Sequence, residues 1–211
     1  MEREQEENMN IRPETRKLTF LGVMLAITFI LSVTPIGFVP LGSVSATIIH
    51  VPTIITGIIL GPLYGLVMGT LMGIISLVNA LTRPVTALDP LFINPLVSIL
   101  PRMPIGVVAY YAYSLIKKIL GSKKIGQTVS AAVGGILGSM TNTILVLSML
   151  YIIYVKDLMA MFGIESEAGI RVMLLTIITT NAVIEAIVAG VLTTAIVVTY
   201  FAVNKSNLIR K

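Results

Sequence analysis

At the centre of the chain, residues 92–104 read FINPLVSILPRMP, an apolar run that contains one arginine, one asparagine and three prolines. An arginine at the centre of a bilayer-spanning helix costs roughly 2.5–3.5 kcal/mol on insertion scales, so Arg102 indicates a cavity or a partner that offsets this cost. Pro101 and Pro104 each remove a backbone donor, which lipid tolerates only where other groups satisfy the freed carbonyls. Arg102 is therefore the first candidate binding residue. A snorkelling arginine near a helix end is the alternative.

The composition is that of an integral membrane protein. Of the 211 residues, 55% are hydrophobic and only 12% are charged, and the mean hydropathy is +0.95. The net charge of +5 does not predict a nucleic-acid partner, because the basic residues lie between apolar segments rather than on one polar face. The chain contains no cysteine, which excludes disulfides, thiolate metal sites and catalytic thiols.

Six apolar segments predict an all-α integral membrane protein with six transmembrane helices. These segments span about residues 18–36, 46–60, 63–81, 95–116, 128–154 and 172–203. The chain then divides into a polar tail over residues 1–17, a membrane domain over 18–203 and a basic tail over 204–211.

Two of the predicted spans have features that bear on packing. The second is about 22 Å long as a helix, which is short for a span, so we expect its ends to use loop residues or to be covered by protein. The third carries Gly65, Gly69 and Gly73 at every fourth position. Such a small-residue stripe lets another helix backbone approach closely, and we interpret it as a packing surface.

The distribution of basic residues orients the predicted spans. Six spans put both termini and the 117–124 loop on one side of the membrane. That side collects eleven of the fifteen Lys and Arg residues, four in the N-terminal tail, four in the loop and three in the C-terminal tail. The opposite side keeps only Arg83, Lys156 and Arg171. Since cytoplasmic loops are enriched in Lys and Arg, we expect both termini to be cytoplasmic in a multi-pass protein of the cell membrane.

Polar side chains within the predicted spans indicate a pocket near the outer face. At about 1.5 Å per helical residue, Arg102 lies about 10 Å below the outer end of its span, and Asn181 about 15–18 Å down the sixth. Asn142 falls in the outer half of the fifth span, and Asn94 and Asn79 stand at the outer mouth. One cation with several amides suits a small molecule that carries a carboxylate, hydroxyls and an amide. Interhelical hydrogen bonding is the alternative for Asn142 and Asn181.

Glu185 and His50 are further candidates for the site. Glu185 lies one helical turn beyond Asn181 on the same face, and at that depth it should be protonated, paired with Arg102 or facing water. His50 is the only histidine, so a multi-histidine metal site is excluded. A hydrogen-bonded structural role is the alternative for His50.

The sequence lacks the patterns of common catalytic sites. It has no G-x-x-x-x-G-K-[ST] loop, so ATP-driven work would require another subunit, and no H-E-x-x-H motif. No serine or aspartate stands beside a credible base. We therefore expect binding without catalysis, metal or cofactor. A stand-alone secondary transporter is an alternative, but we find no convincing self-similarity between residues 18–81 and 95–203.

Several short motifs occur together with the six-span plan. They are IIHVP at 48–52, LGP at 60–62, NPLVSILPR at 94–102, TNT at 141–143, and Asn181 with Glu185. Together they resemble the substrate-binding (S) components of energy-coupling factor (ECF) vitamin transporters, over about residues 17–203, and most of all the pantothenate-type members. The resemblance implies capture of a vitamin from outside and docking on one transmembrane coupling protein and two ATPases.

The resemblance also implies a docking surface on the first span. S components typically carry an A-x-x-x-A pattern there that contacts the coupling protein, and the matching residues here are Gly22 and Ala26. Glycine in place of the first alanine keeps a close-packing surface possible. Ordinary packing within the helical body is the alternative.

The aromatic content bears on the choice of vitamin. Flat vitamins are usually held by stacking on aromatic rings, and this chain has no tryptophan and few aromatic residues near the predicted pocket. Arg102 with several asparagines instead suits a flexible hydroxy-amide carboxylate such as pantothenate. Riboflavin, folate and a pyridoxine-type vitamin remain open.

Overall fold

The computed structural model describes residues 13–41, 44–84, 88–121 and 123–209. Within these ranges the chain is helical apart from one two-stranded hairpin. Four helices are long and apolar enough to cross a membrane: Glu14–Val33, Pro62–Thr82, Lys124–Phe162 and Glu167–Val203. The prediction of a helical membrane protein is confirmed at this level.

The elements follow one another along the chain with short connections. The α-helices are α1 Pro13–Val33, α2 Val51–Leu60, α3 Pro62–Thr82, α4 Pro95–Ser98, α5 Ile105–Leu120, α6 Lys124–Phe162, α7 Glu167–Ile177 and α8 Val183–Ile209. Short 3₁₀ segments lie at Pro35–Gly37 and Asp89–Ile93, and one turn of π-helix, Ile178–Ala182, joins α7 to α8. Strands β1 Phe38–Leu41 and β2 Val44–Thr47 pair antiparallel, with Phe38 opposite Thr47.

The second predicted span is shorter than expected. Its helix, α2, begins at Val51 rather than near residue 46, because residues 44–47 form β2. Pro52 near the helix start suits a position where the missing N–H would lack a helical partner in any case. At about 15 Å, α2 is too short to cross a bilayer alone. Residues 51–58 are all buried, as the expected protein cover requires.

The fourth predicted span, which the sequence analysis took as one helix over 95–116, is broken. One turn of helix, α4, is followed by irregular turns over residues 99–104, and only then does α5 begin. Pro101 and Pro104 have no N–H for the carbonyls of Val97 and Leu100, four residues earlier. The helical ladder therefore fails across this segment, and Arg102 lies at the break.

The glycine stripe of α3 packs against this broken segment. A Cβ added at Gly69 would overlap the carbonyl oxygen of Arg102, and one at Gly73 would lie 2.6 Å from the Cα of Ile99. A Cβ at Gly65 would lie 2.8 Å from the carbonyl carbon of Gly106. The predicted packing role of the stripe is confirmed, and the stripe lies directly against the backbone of Arg102.

The last two predicted spans are longer than expected. Helix α6 continues to Phe162 through a non-helical residue, Tyr154, so the connection between the fifth and sixth predicted spans is only the short link after Gly163. Gly163 adopts a left-handed conformation (φ 63°), which ends the helix, and Ser166 then caps α7. Helix α8 continues past the predicted end at residue 203.

Two apolar clusters lie on either side of a layer of polar side chains, here called the polar layer, which includes residues 139, 142 and 143 of α6. The first joins Ile54 of α2 to Ile105 of α5 and to residues of α6 and α8. The second joins Val97 of α4 to Leu150 of α6 and to α7. On α6 the first cluster uses Ala131 and the second begins at residue 146, so residues 139–143 lie between them.

Candidate functional site

Arg102 is buried at the helix break, with 9% of its surface exposed. Its Nη1 donates to the carbonyl oxygens of Ser98 at 2.6 Å and Val97 at 3.3 Å. Since Pro101 cannot donate to the Val97 carbonyl, the guanidinium supplies the hydrogen bond that the proline removes. Arg102 therefore stabilises the irregular backbone that carries it.

One edge of the Arg102 guanidinium remains available. Nε is buried and has no partner, and among the described residues Nη2 makes no hydrogen bond. Nε and Nη2 lie on the same edge of the group and offer two parallel donors, the geometry that binds a carboxylate in bidentate fashion. The Phe92 ring centroid lies 5.2 Å from Cζ, so an aromatic face supports the cation.

Helix α6 presents polar groups on one face in the layer between the two apolar clusters. Ser139, Asn142 and Thr143 are three and four residues apart and so share this face. The Oγ of Ser139 lies 3.0 Å from Nε2 of His50. The Oδ1 of Asn142 is buried and has no hydrogen-bond partner among the described residues. A buried amide oxygen without a donor is costly, which makes Asn142 a candidate for a binding role.

Glu185, at the start of α8, accepts hydrogen bonds from residues of β2 and α6. Its Oε1 accepts from the backbone N–H and the hydroxyl of Thr47, at 2.9 and 2.8 Å, and its Oε2 accepts from the Thr143 hydroxyl at 3.3 Å. No ion pair joins it to Arg102 in the part of the chain that the structure describes. The pairing considered from the sequence is thus replaced by bonds that hold β2 against α6 and α8.

His50 lies immediately before α2 and is 1% exposed. Its Nε2 contacts Ser139, and Arg102 lies within electrostatic range of the ring. The histidine thus occupies a hydrogen-bonded position inside the protein, which corresponds to the structural alternative considered from the sequence.

The other predicted asparagines take different positions. Asn181 lies in the π turn, is partly exposed, and accepts from the Thr180 hydroxyl at 3.5 Å. Strand β2 packs against this turn, and π turns within helices often occur at functional sites. Asn94 caps α4 through the Leu96 N–H and donates to the Tyr154 hydroxyl at 3.3 Å.

Asn79 joins two helices near the C-terminal end of α3. Its Nδ2 donates to the carbonyl of Ser32 on α1, at 3.3 Å. The amides of Asn79 and Asn94 are therefore both occupied within the chain, whereas the buried oxygen of Asn142 is not.

The structure connects some of the predicted residues and adds others. His50, Asn142 and Glu185 belong to one polar layer, linked through Ser139 and Thr143 of α6. Ser139 could have been found from its helical spacing to Asn142. Thr47 gave no signal in the sequence, because its contact with Glu185 depends on the hairpin that places it there.

Gly22 and Ala26 are exposed on α1. A Cβ added at Gly22 would meet nothing within 4 Å, so this glycine packs against no other described element. Helix α1 is also the least buried of the four long apolar helices. Of the residues in its most apolar stretch, 11% are buried, against 17–33% in the other three helices.

Comparison with known proteins places the chain in a family. The model of the family "ECF transporter, substrate-specific component" matches residues 16–197. The pantothenic acid transporter PanT of Lactococcus lactis subsp. cremoris (strain MG1363) is 29% identical over 196 aligned positions, which cover 84% of this chain and 88% of the relative.

These matches agree with the structure and with the expectation from the sequence. Four long apolar helices make the chain a multi-pass protein of the cell membrane. The matched family consists of components of transporters and not of enzymes. The chain belongs to the substrate-specific component family of ECF transporters.

Proposed function

We propose that this protein captures pantothenate from outside the cell and delivers it to an ECF transport module. The observation that carries the proposal is the Nε/Nη2 edge of the buried Arg102 guanidinium, which makes no hydrogen bond to the described residues. Pantothenate carries a carboxylate, an amide and two hydroxyls, and the carboxylate fits this edge. The similarity to a pantothenic acid transporter supports the same ligand.

The residues of the pocket take distinct roles in this proposal. Arg102 anchors the carboxylate, and the buried Oδ1 of Asn142 accepts from an amide N–H or a hydroxyl of the vitamin. Asn181 in the π turn supplies a further polar contact. Asn94 and Asn79 shape the mouth through the hydrogen bonds that they make to neighbouring helices.

The proposed topology has six crossings with both termini in the cytoplasm. The four long apolar helices provide four of them, and α2 and the α4–α5 segment provide the other two. The polar tail over residues 1–17 and the basic tail over 204–211 then lie on the cytoplasmic side, with the membrane domain between them.

The proposed partners are one transmembrane coupling protein and two ATPases, as in the family that the sequence resembles. The exposed small residues Gly22 and Ala26 on α1 provide the docking surface, because a smooth helix face lets another helix approach closely. The low burial of α1 within the chain supports this assignment.

Calorimetry on the purified protein tests the choice of ligand. Pantothenate is compared with panthenol, which has a hydroxymethyl group in place of the carboxylate, and with riboflavin, folate and pyridoxine. We expect pantothenate to bind at least a hundredfold more tightly than panthenol, because panthenol leaves the buried guanidinium edge unpaired. Tight binding of another vitamin without pantothenate binding would overturn the proposal.

A pull-down tests the docking surface. Gly22→Leu and Ala26→Leu should abolish capture of the coupling protein and ATPases while pantothenate still binds, because a leucine would separate the helices. Val23→Leu, at another exposed position of α1, is the matched control. Unchanged capture by both variants would place docking elsewhere, and ATP-independent accumulation in vesicles that hold this protein alone would favour a stand-alone transporter.

A further inference from the structure

A groove of about 340 Å³ opens between α6 and α7, away from the polar layer. Large apolar side chains flank it, among them Ile152 and Leu175, which are 71% and 59% exposed. In a membrane protein such side chains face lipid. None of the residues proposed to bind the vitamin lines this groove.

One end of the groove carries a fixed cation. The Arg171 Nε donates to the Tyr151 hydroxyl at 2.7 Å, and its Cζ lies 5.7 Å from the Tyr151 ring centroid. The salt bridge to Glu167 is long, at 3.7 Å, and both side chains are more than half exposed, so it neutralises the guanidinium weakly. Arg171 is therefore oriented by Tyr151 and still has donors to offer.

The depth of this cation matches a layer of lipid headgroups. Tyr151 lies 27 residues beyond Lys124, about 40 Å along α6, and a bilayer with its headgroups is about 40–45 Å thick. With Lys124 at one surface, Tyr151 and Arg171 lie at the other. Tyrosine is enriched at this level of a membrane protein.

Ser148 provides an independent sign of a ligand. It lines the groove one turn closer to the membrane centre than Tyr151, about 4.5 Å along the helix. Its hydroxyl makes no hydrogen bond to the described residues, whereas Thr141 on the same helix bonds the carbonyl four residues earlier. Ser148 is exposed in this groove, so its hydroxyl is open to an acceptor from outside the chain, and lipid chains offer none except at their ester groups.

We propose that this groove binds one anionic phospholipid. The phosphate contacts Arg171, an ester carbonyl accepts from Ser148, and an acyl chain lies along Leu147, Leu174 and Ile178. Ile178 is about 10 Å below Arg171 along α7, so phosphate, ester and chain follow in the order that a lipid presents them. The positive charge at the groove end favours an anionic headgroup over a zwitterionic one.

Native mass spectrometry tests the proposal. The detergent-purified protein is mixed with equal amounts of phosphatidylglycerol and phosphatidylcholine of identical acyl chains, and the retained lipids are counted. We expect Arg171→Gln to lower the ratio of retained phosphatidylglycerol to phosphatidylcholine about fivefold, since a basic residue near the surface contributes roughly 1 kcal/mol to anionic-lipid binding. Arg83→Gln, which removes another exposed arginine, is the matched control and should leave the ratio unchanged.

A second variant tests the groove rather than the charge. Ser148→Trp should fill it and displace retained lipid of both kinds, while pantothenate binding, measured alongside, reports that the protein is folded. An unchanged ratio in Arg171→Gln, or an equal fall in Arg83→Gln, would overturn the proposal. Because the chain has no cysteine, Ser148→Cys also allows specific cross-linking. Cross-linking of this cysteine to a second copy or to the coupling protein would show that a protein occupies the groove, and would equally overturn it.

Discussion

Arg102 has a structural function that is independent of any ligand. Its Nη1 bonds to the carbonyls of Val97 and Ser98, which the break at Pro101 leaves without their helical donors. The guanidinium is thereby held in one orientation. In the proposed function, a side chain that is already fixed loses little conformational freedom when a ligand binds to its Nε/Nη2 edge.

The first prediction concerns the charge of Arg102. Arg102→Ala should weaken pantothenate binding at least a hundredfold, because loss of one partner of a buried ion pair costs about 3–5 kcal/mol. Arg102→Lys should restore binding only in part, since an ammonium cannot offer two parallel donors. Calorimetry on detergent-purified variants measures both effects.

The double variant Arg102→Ala with Glu185→Gln separates anchoring from structural pairing. Since Glu185 bonds to Thr47 and Thr143, we expect Glu185→Gln not to rescue Arg102→Ala. Near-normal affinity in the double variant would remove Arg102 from the site. Arg83→Gln is the control for loss of a positive charge.

The second prediction concerns the buried oxygen of Asn142. Asn142→Leu conserves size and removes an unpaired acceptor, so the ligand-free protein should melt at the same or a higher temperature. Pantothenate affinity should fall about tenfold, for the loss of roughly 1.4 kcal/mol of hydrogen bonding. Thermal unfolding with and without pantothenate measures both. A fall in melting temperature without ligand, at unchanged affinity, would assign Asn142 to packing.

The residue types in the sequence indicated some members of the candidate site but not which asparagines bond within the chain. The cost of burying Arg102 and Asn142 in lipid made them visible in the sequence, and the structure leaves polar atoms of both without partners. The same rule did not separate Asn79 and Asn94 from Asn142, because a sequence does not show whether an amide is hydrogen-bonded within the chain. Their bonds to Ser32 and Tyr154 depend on which helix ends meet.

At the scale of elements, the glycine stripe of α3 packs against the segment that carries Arg102. The stripe on α3 was recognisable from its spacing, but its partner was not, because the partner is the broken segment over residues 98–106 rather than a helix. The contact brings the backbone of Arg102 against Gly69. We therefore expect the position of the Arg102 side chain to depend on a glycine of another helix.

The third prediction tests this contact. Gly69→Ala places a methyl group against the Arg102 carbonyl, so the helices must separate, at a cost of about 1–3 kcal/mol. We expect a lower melting temperature and weaker pantothenate binding together. Gly22→Ala, whose methyl group would meet nothing within 4 Å, should change neither property and is the matched control. Equal behaviour of the two variants would show that the stripe does not fix the site.

Element boundaries were least predictable where tertiary contacts override local pattern. The hairpin of β1 and β2 lies in a stretch interpreted as a loop followed by a helix, and β2 is held by Glu185, 138 residues later in the chain. Helix α6 continues beyond residue 154 through the non-helical Tyr154. No proline or glycine stands next to Tyr154 to indicate a kink there. The π turn before α8 likewise has no sequence signal among those that we used.

At the scale of the whole molecule, the number of crossings decides on which side of the membrane Arg83 lies. Four helices are long enough to cross unaided, while α2 and the α4–α5 segment are short or broken. With six crossings, Arg83 is external and the cytoplasmic side holds eleven of the fifteen basic residues. With only the four long helices crossing, Arg83 would move to the cytoplasm, whereas Lys118 and Glu165 would keep their sides.

The last prediction uses this difference. The chain has no cysteine, so Lys118→Cys, Glu165→Cys and Arg83→Cys each introduce one thiol at an exposed position, and a membrane-impermeant maleimide reports its side in intact cells. We expect Glu165→Cys to label without permeabilisation and Lys118→Cys only after it, because Lys and Arg favour the cytoplasmic side. Arg83→Cys is decisive: external labelling requires α2 to complete a crossing between α1 and α3. Labelling of Arg83→Cys only after permeabilisation would contradict the parallel arrangement of α1 and α3, in which Lys17 lies over Tyr64 and Asn79 bonds to Ser32, and would overturn the six-crossing topology.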